Sequence, residues 1–432
     1  MRKVCGLDAR APRSRAQPLR GNAREMFECV TRPRQRLLVD GAQHLEGFVL
    51  GRVCRNGASF RLMLRPAMRN RLPRHALASC FQSLGRYDDS VATPAKTKER
   101  SRLRRGDVVE VRSEEEILRT LDPSGKLGAL PFMPEMLRFC GKRFRVSGRA
   151  HKACDTVEWK TLRRMEDAVH LEDLRCDGSA HGGCQAGCLL YWKEAWLRRV
   201  DEADSGENDS PPEDRIADAV SSCTRETLVN ETTRTNASEV GGPIYSCQAT
   251  ELLRATTRPI NWWEPDQYVE DVRSGNASVP KVVRGLLVGF FNKFQQANAR
   301  LLPRFCLVRG CKPYPFVEGR AANGTPDERV NLQLGEIVEV RSKDEIFATL
   351  DDRDQNRGLR FDSEMLQYCG ARARVLRRVE HIIDENSGKM LHIKGDCIIL
   401  DGVVCMGDYH RSCPRRIYPY WREIWLKRVR QD

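Results

Sequence analysis

The sequence predicts an α+β protein made of two homologous, small, β-rich domains with short helical insertions, each read as a compact SH3-like barrel. Three observations carry this reading. A stretch beginning GDVVEVRS at Gly106 and ending YWKEAWLRRV at Val200 returns as GEIVEVRS at Gly335 through YWREIWLKRV at Val429, offset by 229 residues at both ends. The first 41 positions of the copies (106–146 and 335–375) share 21 identities without a gap, which marks a duplicated domain. Within each copy, short apolar runs alternate with turn residues, the pattern of short strands rather than long helices.

Each copy opens on a glycine turn followed by alternating apolar residues, a strand. Ser113 with Glu116, and Ser342 with Glu345, form capping boxes ahead of a short helix at about 114–121 and its counterpart. Pro134 suits the first position of a second short helix, PEMLRFC, which Gly141 terminates. RFRV and RARV then continue as strands, and VHLEDL as another. The closing LLYWKEAWLRRV is compatible with strand or helix. Its Tyr191, Trp192 and Trp196, and their counterparts Tyr420, Trp421 and Trp425, are large apolar anchors expected to be buried.

Around the copies (106–200 and 335–429) the chain divides by composition. Residues 1–105 hold 24 Lys+Arg against 8 Asp+Glu, whereas the remainder holds 49 against 51, so the net charge of +14 belongs to the N-terminal extension. That extension is read either as an arm for nucleic acid or another polyanion, or as a weakly structured tail. One hairpin is expected in it, at 45–64 around Asn56-Gly57. Residues 201–242 read as an acidic and polar linker unable to build a core. Residues 243–334 form a helical and aromatic connecting segment. Its stripe of Val283, Leu286, Leu287, Phe290, Phe291 and Phe294 predicts a helix packed on the second copy, a membrane-surface helix being the alternative. No apolar run approaches the ~20 residues that span a bilayer. The basic start MRKVCGLDARAPRSRAQ lacks an apolar signal region, so a cytoplasmic chain is expected.

Seventeen cysteines in such a chain suggest reduced thiols and metal ligation rather than disulfides. Of all cysteines and histidines, four pairs align across the copies: Cys140 with Cys369, Cys176 with Cys405, His181 with His410, and Cys184 with Cys413. Three thiols and one imidazole complete a tetrahedral Zn²⁺ set in each copy, and a filled set is structural rather than catalytic. Rival ligands are Cys154 and Cys188 in the first copy and Cys397 in the second, and core burial of the cysteines is the plain alternative. An iron–sulfur cluster lacks the usual close cysteine run. Glu135 and Glu364 read as cap or turn positions. The chain holds no GxGxxG, phosphate-binding P-loop, HExxH or GxSxG motif.

RCDGSAHGGCQAGCLLYWKEAWLRRV and IYPYWREIWLKRV resemble an uncharacterised bacterial protein family with the same two-repeat plan, over about 106–200 and 245–429. That resemblance implies no activity and lends no catalytic residue. It implies that the cysteines of the second copy are more constant than a histidine at the His410 position, with Cys397 as the replacement. The expected role is a structural-zinc binding or scaffold module accessory to a bacterial biosynthetic pathway. Two alternatives stay open. One is an enzyme using the first-copy Cys/His loop, as metal Lewis acid or thiol nucleophile, with Cys188 or His181 facing solvent in a pocket. The other is a nucleic-acid binder acting through residues 1–105.

Overall fold

Each copy forms a five-stranded antiparallel sheet, and the two sheets have the same strand order. In the first, Leu189–Lys193, Ala168–Arg175, Arg143–Arg149, Val108–Val111 and Leu197–Arg199 lie side by side. In the second the order is Trp421–Arg422, Met390–Leu400, Arg372–Ile383, Ile337–Val340 and Leu426–Arg428. Register is also shared: Val108 pairs with Arg145 and Ile337 with Arg374, Val109 with Arg199 and Val338 with Arg428. This computed structural model describes residues 102–157, 161–200, 223–234, 242–299, 303, 308–322 and 324–429, all within one unit spanning Pro94–Asp432. The hairpin expected at 45–64 and the arm before residue 102 lie outside the described residues.

Chain geometry explains why the sheets curl. The two edge strands of the first sheet are consecutive in sequence, joined only by the 3₁₀ turn Glu194–Trp196. That link reaches at most about 14 Å, whereas five flat strands are roughly 19 Å across. The sheet must roll toward closure, and each repeat is a mixed, β-rich half-barrel. The ambiguous LLYWKEAWLRRV is thus strand, 3₁₀ turn and strand, and its tryptophans point inward.

The cores are built alike. Phe132 meets Trp196 edge-on at 5.1 Å between ring centroids, and Phe361 meets Trp425 at 5.4 Å. The indole of Trp196 donates to Thr120 at 3.1 Å and that of Trp425 to Thr349 at 2.9 Å, so each buried N–H finds its partner. The capping boxes form, with Ser113 and Ser342 opening helices Glu114–Leu118 and Lys343–Phe347. The PEMLRFC helix is a 3₁₀ helix, Pro134–Phe139, matched by Ser363–Tyr368.

Two expectations are corrected. Part of the 201–242 stretch read as a linker belongs to the first repeat: helix Arg225–Asn230 buries Leu228, and Cys223 joins it in the core. Segment composition concealed this because two apolar side chains suffice to dock one helical turn. The long helix Val279–Asn298 does not bury its apolar stripe in the second repeat. Val283, Leu286, Leu287, Phe290 and Phe294 are exposed, Phe291 is half-buried against Phe316, and Gln295 is buried. The helix instead approaches the second repeat through Lys281, which pairs with Asp408 at 2.7 Å, and Arg284, which reaches the Tyr409 hydroxyl at 3.5 Å. No helix among the described residues is long and apolar enough to cross a membrane.

The repeats clasp each other through equivalent loops. Cys184 Sγ of the first accepts the backbone N–H of Ile383 at 3.4 Å, and Cys413 Sγ of the second accepts that of Cys154 at 3.2 Å. Both donors and both acceptors are 229 positions apart, so the contact is one self-complementary surface used twice. Arg415 adds hydrogen bonds to the Cys154 carbonyl at 3.2 Å and Thr156 Oγ1 at 2.9 Å. Arg175 stacks over the Tyr418 ring at 3.9 Å.

Candidate metal centres

Each repeat gathers a glutamate, a cysteine and a histidine whose ligand atoms all lie within 4.8 Å of one another: Glu135, Cys176 and His181, then Glu364, Cys405 and His410. The glutamate comes from the 3₁₀ helix, where Pro134 at the first turn aims the next residue at the sheet. The cysteine follows the strand Ala168–Arg175. The histidine hangs from the tight loop after it, in which the His181 N–H bonds the Gly178 carbonyl at 2.9 Å and the His410 N–H that of Gly407 at 3.2 Å. Gly178 has φ +77°, and a Cβ there would come within 2.1 Å of the Cys184 carbonyl oxygen. Only glycine lets the loop turn so closely.

In the first repeat Glu135 Oε1 accepts from Cys176 Sγ at 3.1 Å and lies 3.3 Å from His181 Nδ1. His181 Nε2 faces the Ser246 carbonyl at 3.2 Å, which can only accept. That contact puts the proton on Nε2 and turns the Nδ1 lone pair toward the glutamate and thiol, the tautomer a metal-binding histidine needs. A neutral Nδ1 lone pair against a carboxylate oxygen repels, so the geometry calls for a proton or a cation between them. Glu135 Oε2 is also buried without a hydrogen-bond partner. Burial pushes the Glu135 carboxyl up; a proton on the His181 Nδ1 facing it would oppose this most strongly and hold it below its ordinary value, and a cation in that place would act in the same direction. Burial, followed by the Glu135 charge, raises the Cys176 thiol far above the ordinary range. It stays protonated unless a cation takes the place of that proton.

The second repeat keeps the trio and changes its surroundings. Cys405 Sγ lies 3.5 Å from His410 Nδ1, and the Tyr409 N–H donates to Glu364 Oε1 at 2.5 Å. His410 Nε2 faces Asp362 Oδ2 at 3.6 Å, a carboxylate where the first repeat uses a backbone carbonyl. Burial raises both the Glu364 carboxyl and the Cys405 thiol. The histidine side chains differ most: His181 is 1% exposed and His410 37% exposed.

The structure brings together half of the ligands expected from sequence. Cys176 with His181, and Cys405 with His410, meet as expected. Cys184 and Cys413 do not join them: their thiols face the opposite repeat, as described above. Cys140 and Cys369 end the two 3₁₀ helices and pack against the cores, and burial pushes the Cys369 thiol up to about 11. Among the rivals, Cys154 contacts Cys413, which raises its thiol well above the usual range. Cys188 gives its backbone carbonyl to the Cys176 N–H at 2.8 Å, and burial raises its thiol to about 12. Cys397 packs with Val379 and Ile399 and accepts from Arg422 at 3.5 Å, so it does not substitute for His410. His181 is buried rather than facing solvent, so the nucleophilic dyad expected of that loop lacks an accessible base.

Sequence reasoning missed Glu135 and Glu364. Both are buried, where a cap or turn carboxylate would be solvated. One signal was present: Glu-Met-Leu recurs at 135–137 and 364–366, keeping an acidic residue beside two apolar ones in both copies.

Comparison with known protein families, with curated proteins and with solved structures finds no match to this chain. The chemistry of the two centres therefore rests on their own residues. One carboxylate, one thiolate and one imidazole are a donor set suited to Zn²⁺, and three protein ligands leave a fourth position.

Proposed function

We propose that this chain is a metal-stapled binding module of two clasped repeats, each an SH3-like barrel holding one Zn²⁺ through Glu, Cys and His. The recurrence of the same buried trio on the same scaffold carries this reading. A buried carboxylate is costly unless paired, and two independent repeats retain it. Glu135, Cys176 and His181 would hold the first ion, and Glu364, Cys405 and His410 the second, each as a three-ligand staple between the 3₁₀ helix and the Cys/His loop with the fourth position left to a water. The first site is sealed by the chain around Ser246, which favours a structural role there. Partial exposure of His410 favours a second reading for the other site alone: an ion with a solvent-reachable fourth position, able to polarise a bound carbonyl or water.

Elemental analysis of the purified full chain tests the assignment. Two zinc ions per chain are expected, with one lost in Glu135→Gln or Cys176→Ser and the other in Glu364→Gln or Cys405→Ser. Cys184→Ser and Cys413→Ser are expected to keep both. Loss of metal in those two variants, but not in the glutamate variants, would restore the thiol-rich set expected from sequence. Metal-free protein from a reducing, chelator-free preparation would overturn the staple altogether. A chelator should strip the second site faster than the first.

A further inference from the structure

A cavity of about 450 Å³ opens between the first repeat and helix Asp266–Arg273, away from both trios. Its floor is Arg149, whose charge is already spoken for: it pairs with Glu194 at 2.5 Å and Glu270 at 3.1 Å, and donates to the Leu103 carbonyl at 3.2 Å. Arg378, its counterpart, pairs with Glu423 in the same way, so this floor belongs to the fold. The walls do not. Arg102, Arg164 and Arg273 all line the cavity, and among the described residues none has a carboxylate partner. His151 also lines it, with its side chain 10% exposed. Its Nε2 is held by the Gln267 carbonyl at 3.3 Å and Asp271 Oδ1 at 3.2 Å, whereas Nδ1 is buried without a partner.

The second repeat forms the same sheet without counterparts of His151 and Arg164. It carries Glu380 at the position of His151 and Ile393 at the position of Arg164. Three guanidinium groups without a carboxylate partner line one concave space, donors that an oxyanion can satisfy. The planar guanidinium fork matches carboxylate and phosphate oxygens in pairs. The volume falls within the few hundred Å³ of ordinary small-molecule sites, well beyond one bare ion. Glu166, Asp167 and Asp266 also line the cavity, Asp167 lying 3.8 Å from Arg149; they offer acceptors for hydroxyl groups and disfavour a ligand that is anionic throughout.

We infer that this cavity is a binding site for a small hydroxylated metabolite carrying a phosphate or carboxylate group, gripped by Arg102, Arg164 and Arg273 and oriented by His151. The oxyanion takes the arginine side, and a hydroxyl of the ligand donates to the free Nδ1 of His151. The site is independent of the metal centres.

Calorimetric titration of the full chain at low salt tests this, with glucose 6-phosphate, citrate and glucose as probes. Glucose 6-phosphate or citrate is expected to bind and glucose is not. The stronger of the two anions identifies the oxyanion as phosphate or carboxylate. Arg164→Gln and Arg273→Gln should each weaken binding about tenfold, since each removes a charge-assisted hydrogen bond. Both arginines lie at the cavity wall rather than in the core, so the variants should fold, which a thermal melt would verify. Arg143→Gln, which removes an exposed arginine paired with Glu110 outside the cavity, should leave binding unchanged. Failure of both anions to bind at millimolar concentration would overturn the proposal. So would an equal loss in Arg143→Gln, which would mean diffuse surface attraction.

Discussion

Asp271→Ala is expected to destabilise the folded unit by about 3–5 kcal/mol, the cost of stranding a buried charge. Lys152 Nζ lies 2.6 Å from Asp271 Oδ2, and both side chains are 0% exposed. Lys152 sits in the strand Lys152–Cys154 of the first repeat and Asp271 in helix Asp266–Arg273 of the connecting segment. The pair therefore bolts that segment to the repeat. Removing the carboxylate leaves a buried ammonium group with no other carboxylate partner among the described residues, the Tyr268 ring lying 5.7 Å away. The double variant Lys152→Met, Asp271→Leu should be far milder, because it removes both desolvation costs along with the attraction. Denaturant unfolding of wild type, both single variants and the double variant forms the cycle that measures the coupling. A loss below about 1 kcal/mol in Asp271→Ala would mean that water reaches the pair in solution.

Acidification should produce the second large effect. His170 is buried in the sheet of the first repeat, with Nδ1 donating to the Leu190 carbonyl at 2.9 Å. Burial is the leading cause that lowers its pKa to about 4. The unfolded chain holds this histidine near 6.5, so below that pH the unfolded state binds a proton the folded state refuses. Stability is therefore full above pH 6.5 and falls as pH drops toward 4, by about 3 kcal/mol at 1.36 kcal/mol per unit. Ile399 occupies the equivalent place in the second repeat, so an aliphatic residue fits this fold. His170→Leu should flatten that part of the pH profile of unfolding while leaving stability at pH 8 little changed. An unchanged acid slope in the variant would assign the effect to other groups.

Local structure was largely legible because local interactions made it. Ser113 and Glu116 satisfy each other within four residues, and the short helix follows at Glu114–Leu118. The alternation in VVEV and IVEV suffices for strands with one buried face. The partners of the stripe on Val279–Asn298 are not legible in the sequence for a related reason. Periodicity reports which residues share a helix face, but not what that face meets. Gly285, Gly289 and Phe291 lie on the half-buried side of the helix, and Val283, Leu286, Leu287, Phe290 and Phe294 on the outer side.

The Glu/Cys/His trio was half legible. Cys176 and His181 lie in one loop, where spacing is informative. Glu135 precedes Cys176 by 41 positions, and only the fold brings the two to 3.1 Å. Cys184 sits three residues from His181 and was grouped with it on spacing. Its thiol faces Ile383, 199 positions away.

By itself, the amino-acid order determined the duplication, the strands, the capped helices and the buried tryptophans, all of which follow from patterns within a few residues or from comparing one copy with the other. Tertiary structure alone decided which carboxylate meets the Cys/His loop, which thiols turn to the partner repeat, and where unpaired arginines converge. Those outcomes depend on distances between segments far apart in the chain, set by how the two curled sheets and the connecting segment close on one another.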